Sequence, residues 1–223
     1  MKGGRRAYYK FGGAAFVASG LLFLCRAVLD FMAGAPPSTG TEILAWIASH
    51  SLSQDFQSEI LFFAAGFLVP AVAVLYHSLA YVDRTKAVIG SGLMAVAIPV
   101  LMMLLIVHGR LVYPVFGIRV NAPEVAALLV ALFYGGLHAV YLLMGIATFV
   151  LSLAMKGGGY SKPVVYLGFV VAAADIAGSY PDAIGPTLTL GCQVLFAAWF
   201  VAVGWELYTL PTVPPWFRPA GSA

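Results

Sequence analysis

The sequence predicts an all-α fold, a polytopic transmembrane bundle of six helices that forms a single domain over 1–223, and three observations predict it. Of the 223 residues, 61% are hydrophobic and 9% charged. Soluble proteins average about 45–50% and about 25%, so this chain cannot dress a water-facing surface. Apolar runs approach or reach the length of about 20 residues that a helix needs to cross some 30 Å of hydrocarbon. The basic residues fall on alternate connections between those runs, as the preference of Lys and Arg for cytoplasmic loops demands.

The predicted spans are 11–33, 58–82, 87–108, 124–154, 163–181 and 186–209. With the N-terminus inside, the cytoplasmic segments hold Lys2, Arg5, Arg6, Lys10, Arg84, Lys86, Lys156, Lys162 and Arg218. The outer loops hold only Arg110 and Arg119, and Arg26 lies within the first span, which accounts for all 12 Lys and Arg residues. Both termini are therefore expected in the cytoplasm, with the chain a multi-pass protein of the cell (plasma) membrane. The net charge of +3 belongs to that anchoring. No basic cluster extends beyond residues 2–10, so no nucleic-acid partner is expected. The start of the chain also imitates a secretory leader, with a basic region, an apolar stretch and "AGA" at 33–35. Against that, Arg26 and Asp30 interrupt the apolar stretch and Pro36 would follow the cleavage point.

Between the first two spans, Thr39 and Glu42 stand at capping-box spacing before Ile43, Leu44, Trp46 and Ile47. That pattern suggests a short helix over 41–50 on the outer membrane surface, with Trp46 at the interface, against the alternative of a plain ordered loop. Pro70 and Pro99 fall near the middle of spans two and three, where each removes a backbone hydrogen bond and can bend its helix. Packing detail is the simpler account of both. "KGGGY" at 156–160 reads as a turn. The tail "PTVPPWFRPAGSA" ends the sixth span, with Trp216 and Arg218 as an interfacial anchor. Cys25 and Cys192 lie inside spans without C-x-x-C spacing, so they read as small buried hydrophobes.

Inside a bilayer no hydrophobic drive separates helix faces, so small and polar residues mark the interior. Helical spacing gives four such stripes. Span one carries Gly12, Ala15, Ser19, Arg26 and Asp30, and span two Glu59, Gly66, Pro70, Ala73, His77 and Tyr81. Span four carries Tyr134, His138, Tyr141, Gly145, Thr148 and Ser152, and span five Gly168, Ala172, Asp175 and Ser179. Asp175 is thus expected to face protein. An ionised carboxylate turned to lipid costs about 2.5–3.5 kcal/mol on insertion scales, so Asp175 needs a partner or a proton. Arg26 is the basic residue well within a span, and helical rise places both at about 18–22 Å from the cytoplasmic boundary. An Arg26–Asp175 pair is expected, with Asp30 competing for the guanidinium or sharing it and Gln193 at comparable height. The charges can serve as a static pair fixing helix register or as a functional site.

His138, flanked by Tyr134 and Tyr141 on one stripe, is the best single candidate for contact with a ligand, although a histidine simply hydrogen-bonded within the bundle is the more frequent case. His50, His77 and His108 offer it no partner at matching height for haem, and no H-E-x-x-H or H-x-x-x-H pair appears. There is no G-x-S-x-G, P-loop or G-x-G-x-x-G, and no transmembrane lysine for a Schiff base. The sequence therefore offers no catalytic, metal or cofactor site. Glu59 and Glu206 read as interfacial carboxylates.

Two stretches, "LFAAWFVAVGWELYTL" in the last span and "FFAAGFLVPAVAVLYHSL" in the second, resemble an uncharacterised family of six-span prokaryotic integral membrane proteins, a domain of unknown function. Trp199, Gly204, Leu207 and Tyr208 match the pattern of its final helix. The resemblance implies six helices and supplies no activity or site residue.

Two functions fit these readings. The first is binding or transport of a small ligand, a lipid or an ion at a polar site in the outer half, built from Arg26, Asp30, His138, Tyr141, Asp175 and Gln193. Its partners would be membrane lipids and a small solute or ion. The second is a non-catalytic accessory or assembly subunit of a larger membrane complex, in which the same residues hold the bundle together against a membrane-protein partner or a second copy.

Overall fold

A computed structural model describes the backbone of residues 2–209 and the side chains of 6–209. Trp216 and Arg218, the expected anchor, lie outside the described residues. Among the described residues the chain forms seven helices: α1 (Lys2–Ala33), α2 (Gly40–Ser49), α3 (Ser51–Leu79), α4 (Arg84–Val112), α5 (Pro123–Lys156), α6 (Lys162–Gly178) and α7 (Pro181–Thr209). Five stretches, Arg6–Ala33, Ser51–Leu79, Arg84–Val112, Pro123–Lys156 and Pro181–Thr209, are long and apolar enough to cross a bilayer. The chain is built as a multi-pass membrane protein.

The expected fifth span is the exception. α6 has 17 residues, a rise of about 25 Å against some 30 Å of hydrocarbon. Lys162 and Pro163 open it, and Pro181 disfavours helical backbone at Tyr180, so the helix stops at Gly178. The second span also differs, because α3 begins at Ser51 and makes residues 51–57, expected in the loop, helical. Their polar side chains Gln54 and Gln57 are buried against protein, so they need no water.

The six long helices close a ring in chain order: α1 packs on α3, α3 on α4, α4 on α5, α5 on α6, α6 on α7, and α7 returns to α1. The closing contact relies on glycine. A Cβ on Gly13 would lie 2.6 Å from the Gly204 carbonyl oxygen, and a Cβ on Gly204 would lie 2.6 Å from that of Gly13. The two backbones therefore touch, as small residues allow between membrane helices. Phe16 and Phe200 pack beside them with ring centroids 5.4 Å apart.

α2 follows its predicted cap. The Thr39 hydroxyl accepts from the Glu42 N–H at 3.4 Å and donates to the Glu42 carboxylate at 2.7 Å. Ile43 and Ile47 bury against Ala126 of α5, and the Trp46 indole donates to the Ala33 carbonyl at 3.0 Å. α2 thereby ties the end of α1 to the start of α5.

Three of the four predicted interior stripes face inward, and the second does not. Glu59, Ala73, His77 and Tyr81 are exposed, while Leu61, Ala64, Ala65, Leu68, Ala71 and Leu75 turn inward. On α3 the alanines form the small face and the leucines fill the ring beside them, so scattered polar residues there mislead. Pro70 and Pro99 stay within continuous helices. Cys25 is exposed and Cys192 half-buried, contrary to their reading as buried hydrophobes, because both lie beside rather than on the interior stripes. Glu206 has a definite role: both its oxygens accept from the Ser161 N–H, each at 3.1 Å, at the start of α6.

Gly204→Val forces branched carbons into the α1–α7 contact. It is expected to lower stability by about 1–3 kcal/mol, read as a lower melting temperature in detergent, whereas Gly66→Val, where nothing lies within 4 Å of the added Cβ, is expected to change it little.

Candidate functional site

The end of the ring opposite the N-terminus is shaped by a break in α7. Gly185 takes φ 79°, ψ 167° within the helix, a left-handed φ that glycine adopts without steric cost. Pro186 then restarts the helix, where a missing N–H costs nothing. The Thr189 hydroxyl donates to the Gly185 carbonyl at 2.9 Å and secures the restart. Beside this break lies a cavity of about 530 Å³ between the ends of α1, α5, α6 and α7.

Four of the six residues expected at a site line this cavity: Asp30, His138, Tyr141 and Gln193. Arg26 lies next to it, on a void of about 30 Å³ that shares Leu137, Tyr141 and Gln193 with the larger cavity. Asp175 lines neither and sits one turn from Gly178 and Ser179, which do.

The expected Arg26–Asp175 pair does not form. Arg26 Nη2 lies 2.9 Å from Asp30 Oδ2, one turn along the same helix. The i,i+4 carboxylate is held at pairing distance by α1 itself, whereas Asp175 would have to meet the guanidinium across a helix interface. Arg26 is 4% exposed, and its guanidinium carbon lies 5.7 Å from the centre of the Phe133 ring, a cation–π contact. The Tyr141 hydroxyl stands next to that guanidinium and accepts from the Gln193 amide at 3.1 Å. Asp30, Arg26, Tyr141 and Gln193 thus form one connected polar group across α1, α5 and α7.

His138 Nδ1 lies 2.8 Å from the Ser179 carbonyl oxygen. A carbonyl can only accept, so Nδ1 carries a proton and donates it. Tyr180 packs edge-on against the imidazole at 5.0 Å.

Asp175 faces protein, as expected, but without the expected partner. It is 2% exposed, its Oδ2 has no hydrogen-bond partner, and it abuts Gly145 of α5, where an added Cβ would come within 3.3 Å of its own Cβ.

Sequence reasoning missed a second polar cluster. His108 Nε2 lies 2.9 Å from Gln54 Oε1, and its Nδ1 lies 2.5 Å from the Ser58 hydroxyl. The amide oxygen accepts, so Nε2 donates to it and Nδ1 accepts from the Ser58 hydroxyl. The order resembles a nucleophile, base and orienting group, but Ser58 is 1% exposed and lines neither cavity. The cluster ties α3 to α4. Gln54 and Ser58 stand at i,i+4, a signal hidden by placing residue 54 in a loop.

No protein-family model, curated protein or solved structure matches this chain. The chemistry available at the cavity is therefore read from its own residues: apolar walls such as Phe31, Val130, Leu137 and Leu190, with a few convergent polar groups. Apolar walls with a few convergent polar groups are the usual make-up of small-molecule pockets.

Asp30→Asn removes the charge that balances Arg26 and is expected to cost about 3–5 kcal/mol, because one buried charge is left alone. The double variant Arg26→Met/Asp30→Asn is expected to recover most of that loss. Melting temperatures of the single and double variants in one detergent check both outcomes.

Proposed function

We propose that this protein binds a small amphipathic molecule in the cavity beside Gly185 and hands it across or along the membrane, within a six-span bundle whose termini are both cytoplasmic. That topology places the cavity in the outer half of the plasma membrane. The observation that carries the reading is the cavity itself. At about 530 Å³ it falls within the range of about 300–1,000 Å³ usual for small-molecule sites, and its polar side chains are gathered from three helices. A ring that carries such a cleft at its end favours a ligand over a purely structural role in a larger assembly.

Charge supports the orientation. Arg6, Lys10, Arg84, Lys86, Lys156 and Lys162 lie at one end of the ring, with Arg110 and Arg119 at the other. The short α6 is compatible with a sixth crossing, since a helix a few ångströms short of the hydrocarbon is accommodated by local thinning of the bilayer. The likeness of the last helix to an uncharacterised six-span prokaryotic family points to the same count.

Ala131 is exposed on the cavity wall, so Ala131→Trp fills the space without entering the packed ring. Native mass spectrometry of protein purified in mild detergent is expected to show a retained small molecule on the wild type. At least a tenfold smaller bound fraction is expected on this variant, with unchanged helicity. A wild type that carries nothing, or equal retention by both proteins, would overturn the reading.

A further inference from the structure

Four side-chain atoms on the α5–α6–α7 side of the ring are buried without a hydrogen-bond partner: Asp175 Oδ2, Thr148 Oγ1, Ser152 Oγ and Trp199 Nε1. They are not scattered. Thr148 and Ser152 continue the α5 stripe from Tyr141 and Gly145, and Asp175 meets that stripe at Gly145. Further along, Ser152 and Trp199 converge on Gly168 of α6, where a Cβ would lie 2.0 Å from the hydroxyl and 2.7 Å from the indole nitrogen. Gly145 and Ser152 are seven residues apart, so the seam extends about 10 Å along α5. Its end at Asp175 adjoins the cavity, because Tyr141, Gly178 and Ser179 line that space.

Uncommitted polar atoms inside a membrane bundle are costly, and each calls for a ligand, a water or a proton. For a carboxylate the demand is greatest, since a bare buried charge costs several kcal/mol or more. The groups facing Asp175 cannot balance it. Tyr141 approaches from α5 and Cys192 from α7, and neither is cationic. His138 is one turn away and already bonded to the Ser179 carbonyl. Arg26 is paired with Asp30. A metal cation is a poor occupant, because a desolvated cation wants several oxygen ligands and no group of three His, Cys, Asp or Glu is found among the described residues. A proton needs a single oxygen.

We propose that Asp175 is an intramembrane proton-binding site that exchanges with the cavity through the wall formed by Tyr141 and Gly178–Ser179. The carboxyl is held as the neutral acid. On release, its proton passes to a water in the cavity, leaving the carboxylate and a hydronium ion; uptake is the reverse. The hydroxyls of Thr148 and Ser152, each able to donate and accept, continue the α5 stripe away from the cavity, and the seam ends at the Trp199 N–H, which can only donate. The proposal goes beyond ligand binding and does not depend on it.

Infrared difference spectroscopy of the full chain in detergent tests this directly. At neutral pH the wild type is expected to show the C=O stretch of a protonated carboxylic acid, shifting in D₂O. Asp175→Asn is expected to lose that band, and Asp182→Asn, altered at an exposed acid on the cavity wall, to keep it. Ala131→Trp, which plugs the cavity, is expected to slow the deuterium shift at least tenfold. Stability carries the same sign: a proton kept by the folded state and released on unfolding makes the wild type lose stability as pH rises through the carboxyl's titration, and Asp175→Asn is expected to lack that part of the pH dependence. If that variant does not fold, a band that Arg26→Met/Asp30→Asn keeps and alkaline pH removes decides instead. Absence of the band at neutral pH, its survival in Asp175→Asn, an unchanged exchange rate in Ala131→Trp, or wild-type stability that follows sodium or potassium rather than pH would each overturn the proposal. None of these readouts needs a bound ligand, so an empty cavity would sink the proposed function and leave this inference standing.

Discussion

The bilayer withholds water from every hydrophilic side chain along the spans, and the arrangement of this ring follows from how those groups are satisfied. Arg26 is the sharpest case. A guanidinium two turns before the C-terminal end of α1 is tolerated because Asp30 stands one turn away, the Phe133 ring offers its face, and Tyr141 brings a hydroxyl that is itself tied to Gln193. Those contacts fix how α1, α5 and α7 present themselves to one another. The Gln54–His108–Ser58 cluster does the same for α3 and α4.

Helix length and helix breaking then decide where space is left. α6 ends at Gly178, and α7 cannot start its main run until Pro186. The ring is therefore tight where Gly13 meets Gly204 and open where Gly185 breaks the helix. One molecule thus combines a closely packed end with a hollow end, and the polar residues of three helices look into the hollow.

Much of this was legible in the sequence, and the limits have physical causes. Composition and run length give the membrane class, and Thr39 with Glu42 gives α2 almost to the residue. Stripes of small and polar residues mark the inner faces of α1, α5 and α6 because glycine, serine and alanine there allow helices to approach. On α3 the rule fails, since its inner face is alanine and leucine and its outer face carries the polar residues. Four of the six candidate site residues meet at the cavity, and Arg26 lies against it. The pairing of Arg26 was misjudged because depth and face do not determine distance, and a partner on the same helix requires no interhelical approach. The break at Gly185 was likewise invisible, because a glycine before a proline at the start of an apolar run reads as the start of a helix.

The proposed orientation has the polar interior open to water at one end, on the face away from the cytoplasm. Its most direct test is thiol accessibility in intact cells, with Cys25 and Cys192 replaced by Ser and single cysteines placed at Thr189 on the cavity wall and at Thr85, exposed beside the α3–α4 turn. A membrane-impermeant maleimide added outside is predicted to label position 189 and spare position 85 until the cells are opened. Labelling of 85 in intact cells together with protection of 189 would contradict the orientation and the outward-facing cavity alike.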